Sequence, residues 1–226
     1  GTMPLNYKYK SLKELVYVYL YEKINQGNIK ANEKINENLI CEDLQVSRTP
    51  VREALIKLED EGYIKRMPRR GFIVREVTRD KIREIYEIIG CLEGLAASLA
   101  IDRMTGKDII LLESLVEKMD EAIKNKKLHE YFKLQRNFHN VYISASGSEE
   151  LYNMLLSLKK RFVKKAYFTR ENDQELYTAL KRFNDGHKQI ANLIKKSDKK
   201  GVADYLKEVH WNYRNAEIVV SPFEPS

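Results

Sequence analysis

The 226-residue chain is poor in cysteine, proline and glycine, with two, five and ten of them respectively. Cys41 and Cys91 lie far apart, each inside an apolar helical pattern, so they read as buried free thiols rather than a disulfide framework. So few prolines and glycines leave long stretches without breakers, and those stretches run in a helical period. No apolar run approaches the roughly 20 residues that a bilayer span requires. The opening GTMPLNYKYK has no apolar signal core. Neither a membrane-spanning nor a secreted chain is indicated, and the cytoplasm is the expected compartment. There is no internal repeat and no low-complexity segment. Also missing are a His-Glu-x-x-His helix, a nucleophile elbow and a glycine-rich phosphate loop, the common signatures of hydrolases and nucleotide-binding enzymes.

What is present is a soluble globular balance, 43% hydrophobic and 32% charged, with a formal charge of +7 that favours a polyanionic partner. From Ser11 to Gln26, Leu12, Leu15, Val16, Tyr19, Leu20 and Ile24 recur at three- and four-residue steps, the pattern of a helix buried on one side. A short helix is expected over about Glu37–Leu44, with Leu39, Ile40 and Leu44 inward. A third is expected over Thr49–Glu61, with Val51, Ala54, Leu55 and Leu58 inward. Between them QVSRT is a tight turn. Ser47 or Thr49 can cap the third helix, Pro50 suits its first turn, and Glu53 falls where a capping-box acid would reach back. After Gly62 the pattern becomes strand, basic turn and strand in YIKRM, PRRG and FIVREV. A helix, a helix-turn-helix and a two-stranded hairpin make a winged helix of about 70 residues.

In a helix-turn-helix the second helix enters the major groove N-terminus first. Arg48 and Arg52 sit four apart and project together, where a guanidinium can pair with the O6 and N7 of guanine or clamp a phosphate. The hydroxyls of Ser47 and Thr49 reach backbone oxygens. Arg69 and Arg70 lie at the hairpin tip beside Gly71, placed for the phosphate backbone or the minor groove. VSRTPVREALIKLEDEGYIKRMPRRGFIV resembles the winged-helix signature of the GntR superfamily of bacterial transcription regulators, and the likeness extends back through IKANEKINENLICEDLQ. The resemblance gives Arg48, Thr49 and Arg52 the family's DNA-reading positions and Gly71 that of the wing glycine. Asn38 stands where some members carry a DNA-contacting arginine. An amide there still hydrogen-bonds but brings no charge.

From Thr78 onward only helices are expected, over about 78–102, 106–126, 128–145, 149–169, 173–196 and 199–217, joined by short polar connections. Of the four histidines, His139, His187 and His210 lie on three of these helices beside apolar stripes, and His129 sits at a helix start as a surface residue. Tyr131, Tyr142, Tyr167 and Tyr205 read as core or interface residues. Zinc, nickel or manganese could take imidazole nitrogens from three helices and keep positions open for another ligand. This half resembles the FadR-type C-terminal ligand domain, the FCD domain. There an aspartate four residues before a histidine, together with two later histidines, holds a divalent metal beneath an effector cavity. QRNFHNVYISASG matches that motif with Gln135 at the aspartate position. A glutamine carbonyl is neutral and binds transition metals poorly. A second departure lies in IIGCLEGLAASLA, which places Ile89 where many members have an arginine four before the glutamate, here Glu93. Arg136 and Arg161 are the candidate replacements in the effector pocket.

The fold expected is therefore mainly α. Residues 1–77 form a winged helix-turn-helix with a small β-hairpin wing, and residues 78–220 form an all-α bundle of the FCD type for effector binding and dimerisation. The function expected is that of a homodimeric repressor of operator DNA, modulated by an organic-acid effector beside a divalent metal, with no membrane partner. Two other readings use the same residues: a metal-dependent hydrolase built on three histidines, and a regulator that senses the ion itself.

Overall fold

The structure, a computed structural model, describes residues 11–25, 28–76, 78–161, 163–164 and 173–221. They fall into two compact units, the first reaching Arg79 and including Lys160, Arg161, Val163 and Ser221, the second comprising Asp80–Lys159 and most of the remainder to Val220.

In the first unit α1 (Leu12–Asn25), α2 (Glu37–Leu44) and α3 (Arg48–Asp60) precede a hairpin of β1 (Ile64–Met67) and β2 (Gly71–Val74). Val16, Leu20 and Ile24 of α1 and Val51, Ala54, Leu55 and Leu58 of α3 are all buried, so the apolar periodicity of each helix becomes one shared core. Leu12 and Leu39, expected inward, are instead 43% and 51% exposed. Each lies near a helix N-terminus, with less of the core to face than the residues further along. Asn36 caps α2 by accepting a hydrogen bond from Leu39 N at 3.1 Å. Helix α3 starts one residue earlier than its sequence pattern suggests, with Ser47 as an extended N-cap whose side chain makes no capping bond. The third helical residue is then Pro50, which has no N–H to offer a capping hydroxyl, and Glu53 comes too late to complete a capping box.

The hairpin is antiparallel, with Ile64 opposite Val74 and Met67 opposite Gly71. Its turn holds Arg69 at φ 63° and Gly71 at φ 70°. A segment that was not foreseen as extended runs beside β2: Ile35 N donates to Phe72 O at 2.9 Å, and Val74 N donates to Glu33 O at 3.1 Å. The wing is thus anchored on its second edge as well.

The second unit holds α4 (Arg79–Ile101), α5 (Gly106–Lys124), α6 (Leu128–Ala145), α7 (Glu149–Lys159), α8 (Gln174–Lys195), α9 (Lys199–Tyr205) and α10 (Tyr213–Val219). Helix α5 packs between α6 and α8. Two expected helices are shorter than their patterns. The one begun at 149 ends at Lys159, and the rest of that span is a turn at Lys160 and Arg161, the two-residue strand β3 (Val163–Lys164), which pairs with β4 (Val220–Ser221), and residues outside those described. The helix expected over 199–217 passes into a π-helical turn at Leu206–His210 and breaks before α10. Gly90 and Gly94 on α4 explain how this last region can lie so close: a Cβ on Gly90 would stand 3.1 Å from Lys207 Cα, and one on Gly94 3.0 Å from Ala203 O. Both cysteines are free, but Cys91 is exposed and Cys41 half-buried rather than core residues. No helix among the described residues is long and apolar enough to cross a membrane.

Candidate functional site

Two sets of side chains were singled out from the sequence. In the first unit Asn38, Ser47, Arg48, Thr49 and Arg52 are all exposed, as are Arg69, Arg70 and Gly71 at the wing tip. The inward face of α3 is buried on α1, so its N-terminal turn presents Arg48 and Arg52 to solvent. Neither guanidinium is loose. Arg48 Nη2 donates to Asn38 Oδ1 at 2.8 Å, and Arg52 Nε pairs with Glu37 Oε1 at 2.8 Å. Glu37 was missed in the sequence because an acid in the first turn of a helix reads as an ordinary favourable dipole contact.

In the second unit His139 from α6, His187 from α8 and His210 from the π-helical turn meet, each offering a ring nitrogen within 4.8 Å of the others. His139 and His187 are fully buried and His210 half-buried. His139 Nε2 lies 3.2 Å from His187 Nε2 and 3.3 Å from His210 Nε2. The opposite nitrogens explain which atoms face inward. His139 Nδ1 lies 2.7 Å from Glu93 Oε1, an acceptor that also takes the Tyr142 hydroxyl proton. His187 Nδ1 lies 3.0 Å from Asn184 Oδ1. The Asn184 amide cannot be flipped, because its Nδ2 donates to Val116 O at 3.0 Å and Asp120 Oδ1 at 2.7 Å, both pure acceptors. Each of these two rings therefore spends its proton on Nδ1 and turns the bare lone pair of Nε2 toward the common centre.

Burial of Glu93 alone would raise its pKa, but His139 and the ammonium of Lys159 hold it well below the usual carboxylate range. Lys159 Nζ stands 2.6 Å from Glu93 Oε2 and over the Trp211 ring at 5.3 Å. Burial, then the neighbouring histidines, push His187 well below the ordinary imidazole value, and His210 is lowered for the same reasons. His187 and His210 are thus held as unprotonated imidazoles.

The other sequence candidates are placed as follows. Gln135 is half-buried on α6, one turn before His139, while Arg136 is exposed on the same helix. Arg161 is exposed and belongs to the first unit rather than to the bundle. The cation that the structure gives Glu93 is neither arginine but Lys159, which carries no sequence signal because a lysine in the last turn of an amphipathic helix is commonplace. Ile89 is buried. His129 is exposed, Tyr131 and Tyr142 are buried, Tyr205 is half-buried, and Tyr167 lies outside the described residues.

Comparison with known proteins divides the chain in the same way. Residues 12–74 match the bacterial regulatory proteins of the gntR family, and residues 84–210 match the FCD domain. The uncharacterized HTH-type transcriptional regulator YdhC of Bacillus subtilis is 30% identical over 200 residues, 87% of this chain and 86% of that protein. The gluconate operon transcriptional repressor of the same organism is 29% identical over 202 residues, covering 86% and 79% of the two chains. The solved structure of E. coli McbR/YncC superposes with a TM-score of 0.62 at 25% identity, over 93% of this chain and 98% of that one. With both halves matched in the order the fold shows them, the chain belongs to the GntR family and carries an FCD domain, which makes it a DNA-binding transcriptional regulator and not an enzyme.

Proposed function

We propose that the protein acts in the cytoplasm as a homodimeric repressor, and that a small organic acid held in the helical unit beside a divalent metal on His139, His187 and His210 releases it from operator DNA. The observation that carries this reading is the meeting of three Nε2 atoms. The Nε2 lone pairs that His139 and His187 turn toward each other at 3.2 Å repel, and a cation or a proton between them relieves that repulsion. Imidazole nitrogens about 2.0–2.1 Å from a tetrahedral zinc stand about 3.3–3.4 Å apart, so the donor set fits such an ion. A bound zinc, nickel or manganese would supply a positive centre with open positions for a carboxylate. Gln135 would add a neutral carbonyl where a charged ligand would bind more tightly. The repressor sense follows the relative named for repression of the gluconate operon.

A two-fold dimer would present two copies of α3 to half-sites of a pseudo-palindrome. An apolar row on α4, with Ile88, Leu95 and Leu99 at 46%, 50% and 41% exposure, supports a partner copy there. For the effector to act, it must bind one arrangement of the two winged units better than the other.

The test is the metal content of the purified protein by elemental mass spectrometry, beside a His139→Ala, His187→Ala double variant. About one transition metal per chain in the wild type and none in the variant is the expected result. Failure of the wild type to take up metal after reloading would remove the metal from the reading and leave an effector held by side chains alone. A regulator of the ion itself would instead change its DNA affinity with free metal, without any organic acid.

A further inference from the structure

Two consecutive residues on the first turn of α2 hold the two arginines at the head of α3, and they do so by different means. Glu37 meets Arg52 with a carboxylate, which orients the guanidinium and also neutralises much of its field. Asn38 meets Arg48 with a neutral amide oxygen, Nη2 to Oδ1 at 2.8 Å, which orients without cancelling charge. Because a guanidinium only donates, the oxygen of Asn38 must be the atom that faces it, and the amide NH2 is turned away. The amide is free for this task, since α2 is capped by Asn36 and not by Asn38. One of the five N–H groups of Arg48 is engaged, and the rest of the planar fork remains available for the paired acceptors of a guanine edge. A long side chain that would otherwise sample many rotamers is thereby restricted before DNA arrives.

We infer that Asn38 is a positioning residue for operator reading: it sets the base discrimination of Arg48 by holding its guanidinium, and does not itself contact the bases. This rests on the assignment of Arg48 as a DNA-reading residue. It makes Arg48 the more strongly charged of the two readers and makes its selectivity depend on an acceptor at position 38.

The test begins by selecting a binding sequence for the full-length wild type from a randomised duplex library. Affinities for that sequence, for its single-base-pair variants and for an unrelated duplex are then measured for wild type, Asn38→Ala, Arg48→Ala and the double variant. Asn38→Ala is expected to weaken binding to the selected sequence about three- to tenfold, the scale of one ordinary hydrogen bond. The loss should fall on the same base pairs that Arg48→Ala ceases to distinguish, with affinity for the unrelated duplex unchanged. In the Arg48→Ala background, Asn38→Ala should have no further effect. Asn38→Asp keeps the acceptor, so discrimination at those base pairs should survive while affinity for every duplex falls through phosphate repulsion. An Asn38→Ala loss of equal size in both backgrounds would overturn the inference, because Asn38 would then be touching DNA itself. Loss of discrimination in Asn38→Asp would overturn it too, since the acceptor would not be what matters. A wild type that selects no sequence at all would instead bring down the DNA-reading assignment of α3, and this inference with it.

Discussion

Arg52 and His139 are each held by a carboxylate, in settings that could hardly differ more. Glu37 reaches Arg52 at 2.8 Å with side-chain exposures of 27% and 55%. Glu93 reaches His139 at 2.7 Å with both side chains wholly buried. In water an ion pair contributes about 0–1 kcal/mol, because solvent screens it and two flexible side chains must be ordered. In the interior the pair is shielded from water, and His139, Tyr142 and Lys159 all converge on Glu93. The surface pair can therefore be altered at the cost of recognition alone, whereas the buried one is also part of what keeps the bundle folded.

The largest effect should come from breaking the buried member. Glu93→Ala removes the acceptor shared by His139 and Tyr142 and the counter-charge of Lys159, and should lower the unfolding free energy by about 3–5 kcal/mol in urea denaturation, the range for removing one partner of a buried charged network. A loss below about 1 kcal/mol would mean that the interior relaxes as easily as the surface, and the contrast would collapse. Arg52→Ala is the matching change on the surface. It should leave the urea midpoint within experimental error yet weaken binding to the selected operator by about 1–3 kcal/mol if Arg52 reads a base. Unchanged operator binding would remove α3 from the reading surface.

The same contrast decides how much could be read from the sequence. The elements of the first unit were legible because their pattern is written locally: Arg48, Thr49 and Arg52 lie within five positions, and the apolar residues of α3 lie behind them. The three histidines drew notice because the chain has only four and these three lie on separate helices beside apolar stripes. What holds them was only partly visible. Glu93 drew notice through the family resemblance, as the glutamate four residues after Ile89, but its partner Lys159 and the Asn184–Asp120 pair come from distant helices and announce nothing in their own neighbourhoods. The missed capping at Ser47 has a local cause in Pro50. The over-extended last helix does not, since the region around the π-helical turn lies close against a distant helix, α4, with Gly94 facing Ala203 and Gly90 facing Lys207.

A smaller effect follows from the lowered pKa of His187. Its value in the unfolded chain is about 6.5, and burial with the neighbouring histidines brings the folded value well below that. Between the two values the unfolded chain binds a proton that the folded chain does not, so stability must fall as pH drops below about 6.5. The slope contributed by this one histidine is at most about 1.4 kcal/mol per pH unit. Metal-free protein should show the decline in thermal melts, and His187→Gln should flatten it. A metal-loaded sample should start from a higher stability but lose it at least as steeply as pH falls, because bound metal keeps the same nitrogens unprotonated in the folded state. Identical pH profiles for His187→Gln and wild type would mean that the ring is protonated in the folded state and that the buried centre resembles the surface after all.

The smallest effect belongs to the wing and separates charge from conformation. Arg69 and Arg70 are neighbours at the tip, but Arg69 has φ 63° whereas Arg70 is absent from the positive-φ residues. Replacing Arg69 by alanine would remove a charge and also disturb a left-handed turn position, so its result would mix two causes. Arg70→Ala removes the charge alone. If Arg70 rests on the phosphate backbone, affinity should fall by a similar factor for the selected operator and for unrelated duplexes, and the slope of log affinity against log salt should become shallower by about one. Arg52→Ala should do the reverse, flattening discrimination among sequences. An Arg70→Ala variant that loses operator binding selectively would make the wing a base reader, and would move the boundary between positioning and reading contacts from the recognition helix out to the hairpin.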